Sequence, residues 1–279
     1  MNNKTVFRFR DGSLPLGSRT YIMGIINVTP DSFSDGGDNF SPENAVKTAL
    51  EFEKQGADIL DIGGQSTRPG SVTITADEEW NRLKEVLPLI LKDTKLPISV
   101  DTFYPEVAQK ALELGCHIIN DVSGKVNPDM ARVVKKYGAG WVLMHSSEET
   151  AGDISRCVHN RLLDMLNTAL SLGVNGCNIC LDPGIGFGKT MEQNLTLIAE
   201  TDRVKIDGTA YLLGASRKRV IGYALGNETL PFKERDSGTL AINTVGIMGG
   251  ADILRVHNVS AAVQSARVTD LLIDRKEEL

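Results

Sequence analysis

Eight short apolar runs recur along the chain, and each stops at polar residues. Stretches of helical periodicity fill most of the intervals between them. Buried parallel strands that alternate with helices are typical of a (β/α)8 TIM barrel, so we predict the α/β class and this fold. The runs are Tyr21–Ile26 before Asn27, Ile59–Ile62 before Gly63, Ile98–Val100 before Asp101, Ile118–Ile119 before Asn120, Trp141–Met144 before His145, Ile179–Leu181 before Asp182, Ala210–Leu213 before Ser216, and Ile253–Val256 before His257.

The first residues predict an additional element in front of the barrel. Apolar residues alternate in Val6–Arg10 and again in Leu14–Leu16, on either side of the turn signal Asp11-Gly12. This pattern predicts an N-terminal β-hairpin, which we expect to close the bottom of the barrel. No linker or low-complexity tract divides the sequence, so we expect one domain over residues 1–279.

Helix signals occur between the strand candidates. Ser41-Pro42 provides an N-cap and an N1 proline before a helix over Ala45–Lys54. Thr75 and Glu78 have capping-box spacing, and one helix is predicted to follow over Trp80–Leu91.

Composition excludes several classes of protein. The formal net charge of −6, with 24% charged residues, argues against a nucleic-acid partner. No apolar run reaches the roughly 18 residues that a transmembrane helix needs, so no membrane partner is expected. Four scattered cysteines do not form a disulfide framework, which favours the cytoplasm as the compartment.

In a (β/α)8 barrel the active site lies where the strands end, so the polar residues after the runs are site candidates. Asp101, Asn120 and Asp182 form a set of acceptors. Such a set could bind a metal ion, act as bases, or accept hydrogen bonds from the N–H edge of a guanidine-like heterocycle. Any one of these carboxylates alone is equally well explained as a strand-end cap or a buried ion pair. Lys218, Arg255 and His257 form a cationic set after the last two strands, where barrels recurrently bind phosphate.

Two loops add further candidates. The segment after the first strand, from Gly24 to Gly37, is rich in glycine and hydroxyl groups, as expected of a ligand-binding loop or of a plain connecting loop. In the second loop, Gly63–Gly70, Arg68 is suited to bidentate contacts with phosphate. The segment Pro183–Thr190 is similar to a P-loop, but the other barrel strands do not fit the sheet of an NTPase.

Together these motifs resemble the dihydropteroate synthase family of pterin-binding barrels. The resemblance extends from about Thr20 to the C-terminal helix. Its most specific segments are Gly24–Gly37, Gly63–Gly70, Ile119–Gly124, Leu181–Lys189, Ser216–Lys218 and Arg255–His257.

The resemblance implies a transferase of folate biosynthesis that joins 6-hydroxymethyl-7,8-dihydropterin pyrophosphate to p-aminobenzoate and releases pyrophosphate. It implies catalytic roles for Asp101, Asp182, Lys218 and Arg255. It also implies a homodimer and Mg²⁺ as cofactor, with Asn27 as the metal ligand. The implied substrate-binding residues are Asn27, Thr67, Arg68, Asp101, Asn120, Met144, Asp182, Phe187, Lys218, Arg255 and His257.

The chain departs from the family pattern at Gln65, at Arg219 and in the segment 146–150. Arg219 stands where the family commonly has a serine near the p-aminobenzoate carboxylate. Two alternatives remain open. One is a related barrel that passes a methyl group from methyltetrahydrofolate to a corrinoid protein, and the other is a paralogue that binds pterin without turnover.

Overall fold

A computed structural model describes residues 6–29, 41–65, 72–148 and 152–277 of the chain. Eight parallel strands close into a barrel in which each strand pairs with its neighbours in chain order and the last pairs with the first, which confirms the predicted fold. The predicted N-terminal hairpin is also present, as an antiparallel pair in which Val6 lies opposite Pro15. The strands are β1 Val6–Phe9, β2 Gly12–Pro15, β3 Tyr21–Asn27, β4 Ile59–Gly63, β5 Ile98–Asp101, β6 Ile118–Asp121, β7 Gly140–Met144, β8 Ile179–Asp182, β9 Ala210–Leu213 and β10 Ile253–Val256.

Helices surround the barrel, and their ends follow the expected capping chemistry. The hydroxyl of Ser41 accepts a hydrogen bond from Asn44 N, and Gly115 ends its helix with a φ of 111°, where a side chain would be strained. The helices are α1 Pro42–Gln55, α2 Ala76–Leu83, α3 Val86–Asp93, α4 Pro105–Leu114, α5 Pro128–Tyr137, α6 Ile154–Ser171, α7 Met191–Ala199, α8 Thr201–Val204, α9 Arg219–Ala224, α10 Asp236–Met248 and α11 Val259–Glu277. None of the helices in these ranges is long and apolar enough to cross a membrane.

The prediction of one helix over Trp80–Leu91 is wrong, because two helices, α2 and α3, occupy this part of the chain. Pro88 explains the break between them. Its nitrogen carries no hydrogen for Lys84 O, and its ring would clash with that carbonyl group. The capping box at Thr75 and Glu78 is present as expected.

The hairpin closes the N-terminal end of the barrel. Phe7 and Phe9 pack against the side chains that fill this end of the barrel interior. The barrel residues of this cluster are Tyr21, Met23, Ile59, Ile118, Val142, Cys180, Ala210, Leu212 and Ile253. Since the lower interior formed by the described residues is apolar and filled, we expect a ligand to enter from the opposite end.

Strand periodicity determines which residues face that opposite end. Residues two apart on a strand share a face, so Cys180 in the lower interior places Asp182 above it on the same side. By the same rule the interior face of β4 presents Ile59, Asp61 and Gly63, and that of β10 presents Ile253 and Arg255. Among the described residues, the charged inward side chains Asp61, Asp182 and Arg255 therefore lie above the apolar lower layer, towards the C-terminal end of the barrel.

Candidate active site

The centre of the site is a cluster of two carboxylates around Arg255. Arg255 Nε donates to Asp61 Oδ2 over 2.6 Å, and Arg255 Nη2 donates to Asp101 Oδ2 over 2.7 Å. Asn120 Nδ2 also donates to Asp61 Oδ2, over 3.2 Å. These four side chains come from β10, β4, β5 and β6, so the closed barrel is what brings them together.

Three acceptors in this cluster are buried without a partner among the described residues, and Asp61 Oδ1, which lies one layer below the barrel mouth, is one of them. Among the residues that the structure describes, no group donates a hydrogen bond to Asp101 Oδ1 or to Asn120 Oδ1. An unpartnered buried acceptor costs about 1–3 kcal/mol, which is tolerated where a ligand supplies the donor. The pair is therefore arranged for a ligand with N–H groups along one edge.

Asp182 supplies a third acceptor and has one oxygen committed to the protein. Its Oδ1 accepts from Gly184 N over 2.7 Å, whereas its Oδ2 faces the backbone of Gly214. A Cβ atom on Gly214 would stand 3.5 Å from that oxygen and would narrow the space beside it. The glycine after β9 thus leaves Asp182 accessible to a ligand.

Lys189 organises the loop after β8. Its Nζ donates to His145 O, Gly184 O and Phe187 O at 3.3, 3.0 and 2.9 Å. Gly184 has a φ of +68°, and a Cβ atom there would lie 1.8 Å from His145 O, so no other residue fits. The lysine of the P-loop-like segment is therefore engaged with backbone carbonyl groups of its own loop and of His145, which agrees with our preference for a barrel over an NTPase sheet.

Lys218 reaches the same loop from the other side of the site. Its Nζ donates to Ile185 O and lies 4.6 Å from the centroid of the Phe187 ring. Met144 ends β7 opposite Asp182 in the strand register and is buried. Phe187 and Met144 thus form the apolar neighbours of the carboxylate and the ammonium group.

The loops after β9 and β10 form the rim of the site next to Lys218. A second network of hydrogen bonds connects them. Ser216 Oγ lies 3.0 Å from His257 Nδ1 and accepts from His257 N over 3.2 Å. Arg217 has a φ of 58°, a strained conformation for a residue other than glycine. It is stabilised by two hydrogen bonds from its guanidinium to Asp236, of 2.6 and 2.9 Å. Asn258 also donates to Asp236, over 3.0 Å, so the network connects the loops after β9 and β10.

Burial and neighbouring charges shift the pKa values in the site. Burial raises the pKa of Asp101 to about 7, against the opposing effect of Arg255, and Asp61 and Glu79 add to the rise. Burial also raises the pKa of Asp182, although Lys218 opposes it. The pKa of Lys218 falls to about 8 because burial disfavours the ammonium form more than Asp182 favours it. Burial works against the charge of Arg255 too, but Asp61 and Asp101 outweigh it and raise its pKa.

The structure brings together most of the residues expected from the sequence. Asp101, Asn120, Asp182, Lys218 and Arg255 lie at the C-terminal mouth of the barrel, with Met144 and Phe187 beside them. Asn27 ends β3, and its Oδ1 and the Cβ of Asp101 flank Gly63. Thr67 and Arg68 lie outside the described residues.

The cationic set is divided between two places. The guanidinium of Arg255 and the ammonium of Lys218 lie among the carboxylates and the loop after β8, whereas His257 lies at the rim beside Ser216. A contact of Arg255 with a leaving phosphate group stays a prediction. Arg219, at the position where the chain departs from the family pattern, pairs with Glu228 over 3.2 Å in an exposed contact.

Sequence reasoning missed Asp61. It lies inside the run Ile59–Ile62, which we interpreted as uniformly apolar, yet it is fully buried and holds Arg255. Strand periodicity could have identified it, because a carboxylate between Ile59 and Gly63 must share their inward face.

Comparisons with known proteins agree with this geometry. A profile of the pterin-binding enzyme family matches residues 23–257. The dihydropteroate synthase of Clostridium beijerinckii is 45% identical, over 93% of this chain and 97% of its own length.

Two solved structures are similar over nearly the whole chain. Dihydropteroate synthase from Clostridium difficile, solved in the presence of pteroic acid, has a TM-score of 0.87 and 42% identity over 93% of this chain and 98% of its own. The enzyme from Xanthomonas albilineans, solved with 4-aminobenzoic acid, has a TM-score of 0.89 and 38% identity over 96% of this chain and 98% of its own. The resemblance inferred from the motifs is confirmed, and the chain belongs to the pterin-binding enzyme family, among the dihydropteroate synthases.

Proposed function

We propose that this protein joins 6-hydroxymethyl-7,8-dihydropterin pyrophosphate to p-aminobenzoate and releases 7,8-dihydropteroate and pyrophosphate. The observation that carries the proposal is the set of acceptors at the barrel mouth: Asp101 Oδ1 and Asn120 Oδ1 without partners, and Asp182 beside the accessible Gly214. A pterin presents ring N–H and amino donors along one edge and a carbonyl group next to them. The proposed role of Lys218 is to donate to that carbonyl group.

The reaction breaks the bond between the pterin methylene carbon and a phosphate oxygen and forms a bond from that carbon to the amine nitrogen. The amine then loses a proton. Such a step needs stabilisation of the departing charge more than it needs a covalent nucleophile. Positively charged and hydrogen-bonding groups at the barrel mouth would stabilise the departing charge, and the proposed contacts for pyrophosphate are Asn27, Arg68, Arg255 and His257. Asp101 and Asp182 stabilise positive charge that develops on the pterin.

Mg²⁺ is the proposed cofactor, with Asn27 as its protein ligand. The described residues contain no group of three or more His, Cys, Asp or Glu side chains that could hold a metal ion. A site without such a cluster does not suit an ion whose ligands all come from the protein. It does suit Mg²⁺, which keeps several waters and commonly binds through one or two protein oxygens together with substrate phosphates. Asn27 would supply one such oxygen, and the ion would neutralise charge on the leaving group.

The test is direct. Purified protein is incubated with the pterin pyrophosphate, p-aminobenzoate and Mg²⁺, and we expect dihydropteroate and pyrophosphate in equal amounts. Binding of the pterin without product would support the non-catalytic paralogue. Methyl transfer from methyltetrahydrofolate to a corrinoid protein would support the other alternative, which has no use for a pyrophosphate site.

A second copy of this chain is the proposed partner, in a homodimer. The support is an exposed apolar surface on α10 and α11, formed by Val245, Met248, Val268, Leu271 and Leu272. Large apolar patches on a protein surface commonly mark interfaces. Light scattering should give the mass of a dimer, and the double variant Met248→Glu, Leu272→Glu should give that of a monomer.

The proposed compartment is the cytoplasm, where the buried thiols of Cys116 and Cys180 remain reduced.

A further inference from the structure

Asp61 lies one inward layer below the acceptors of the site. In the strand register it is opposite Ser99, whereas Asp101 is opposite Gly63, two residues closer to the barrel mouth. Its side chain is 0% exposed, so substrate that enters from the mouth does not reach it. A buried carboxylate is costly to maintain unless its partners compensate it, and those partners are both residues of the proposed pterin site.

The contacts of Asp61 determine how Asn120 presents its amide. An asparagine has one donor end and one acceptor end, and the donor end of Asn120 is engaged with Asp61 Oδ2. Its Oδ1 is therefore the end left for a ligand, and among the described residues it has no other partner. Without Asp61 the amide could turn and present donors to a ligand edge that itself consists of donors.

The same oxygen also fixes the guanidinium of Arg255. Its Nε is held by Asp61 Oδ2 over 2.6 Å, which directs Nη2 to Asp101 Oδ2. With this hydrogen bond in place, Oδ1 remains the unpartnered oxygen of Asp101. One buried carboxylate thus determines the orientation of three groups that are proposed to meet the substrate.

We propose that Asp61 is a positioning residue that holds Asn120 as a hydrogen-bond acceptor and Arg255 against Asp101, and that it controls pterin binding through them without touching the substrate. This inference rests on the proposed function. It depends on the acceptor oxygen at Asp61 rather than on its charge, because a single oxygen accepts both hydrogen bonds. An amide oxygen in the same place can accept the same two bonds.

Calorimetry with 6-hydroxymethylpterin as the probe shows whether binding depends on the acceptor oxygen of Asp61 or on its charge. Asp61→Ala should weaken binding at least tenfold, and Asp61→Asn should stay within threefold of the parent protein. If Asp61→Ala does not fold, Asp61→Leu replaces it, because leucine fills the space without providing an acceptor. Asp61→Leu should also weaken pterin binding at least tenfold. Ser99→Ala is the matched control, since it removes a buried polar group from the adjacent strand at the same level, and should change affinity less than twofold.

A double-mutant cycle shows whether Asp61 acts through Asn120. In the Asn120→Ala background, Asp61→Ala should cost at least threefold less in affinity than it does alone. Equal costs in the two backgrounds, or a loss in Asp61→Asn as large as in Asp61→Ala, would overturn the inference. Absence of pterin binding by the parent protein would instead contradict the proposed function itself.

Discussion

The ammonium group of Lys218 lies 4.6 Å from the centroid of the Phe187 ring. This contact fixes the cation next to the loop that also positions Asp182, which lies at the end of β8. A buried cation between a ring and a carboxylate is sensitive to pH, because burial has already lowered its pKa to about 8. The electrostatics of the pocket can therefore be tested by titration.

Pterin affinity should depend on pH with two limbs. Asp101, with a pKa near 7, becomes a charged acceptor as the pH rises through that value, so binding strengthens there. Lys218 loses its proton as the pH rises through about 8, so binding weakens again. Calorimetry over roughly pH 5.5 to 9.5, corrected for the titration of the ligand alone, should give this bell-shaped profile.

Two variants assign the limbs of the profile. Lys218→Arg should move the alkaline limb to higher pH, because a guanidinium stays charged throughout this range. Asp101→Asn should remove the acidic limb. A profile of unchanged shape in both variants would mean that neither group controls the titration.

Asp182→Asn should weaken pterin binding at least tenfold while the fold is kept. The amide oxygen of the variant can keep the hydrogen bond from Gly184 N, which directs its NH2 group towards the pocket. Two donors then face each other, and a charge-assisted hydrogen bond worth about 1.5–3 kcal/mol is lost. Calorimetry measures the loss.

Asp121→Asn is the matched control for Asp182→Asn. Asp121 also ends a strand and is buried, but it accepts from Ser123 N and Trp141 Nε1 outside the barrel interior. The Asp121→Asn variant should bind the pterin with the affinity of the parent protein. Equal affinities of the parent protein and Asp182→Asn would remove Asp182 from the binding site.

Lys189→Met should destabilise the loop after β8. Three carbonyl groups lose their shared donor, and the free energy of unfolding should fall by about 1–3 kcal/mol. Because the same loop carries Phe187, pterin affinity should fall several-fold as well. Denaturant unfolding measures the loss of stability, and calorimetry measures the loss of affinity. Lys92→Met, at an exposed lysine, serves as the control and should change neither. Full stability of Lys189→Met would show that these contacts contribute nothing to the loop.

Arg219→Ser should be nearly neutral. The Arg219 and Glu228 side chains are 65% and 52% exposed, and such surface pairs contribute about 0–1 kcal/mol. The Michaelis constant for p-aminobenzoate and the inhibition constant for a sulfonamide should each change less than twofold. Glu228→Gln, which releases Arg219, should be equally neutral. A rise in the Michaelis constant alone for Arg219→Ser would show that Arg219 leaves Glu228 to bind the substrate carboxylate.

The sequence predicts the barrel well because a buried run marks each strand, and at strands such as β5 and β8 a second signal agrees with it. A buried run gives the strand, and the polar residue after it, as at Asp101 and Asp182, gives the inward position at the mouth. The break between α2 and α3 was missed because the apolar pattern continues across it while Pro88 interrupts only the backbone hydrogen bonds. The partners of each side chain could not be predicted either, since pairs such as Arg255 and Asp61 are 194 residues apart and meet only when the barrel closes.

A crystal structure of the protein with 6-hydroxymethylpterin would show whether these acceptors bind the pterin. We expect the donor edge of the ring to lie within hydrogen-bond distance of Asp182, Asp101 Oδ1 and Asn120 Oδ1. Lys218 should donate to the ring carbonyl group in the same complex. A pterin bound at the barrel mouth but away from these acceptors, or with its carbonyl edge towards Asp182, would mean that Asp182, Asp101 and Asn120 do not form the pterin site.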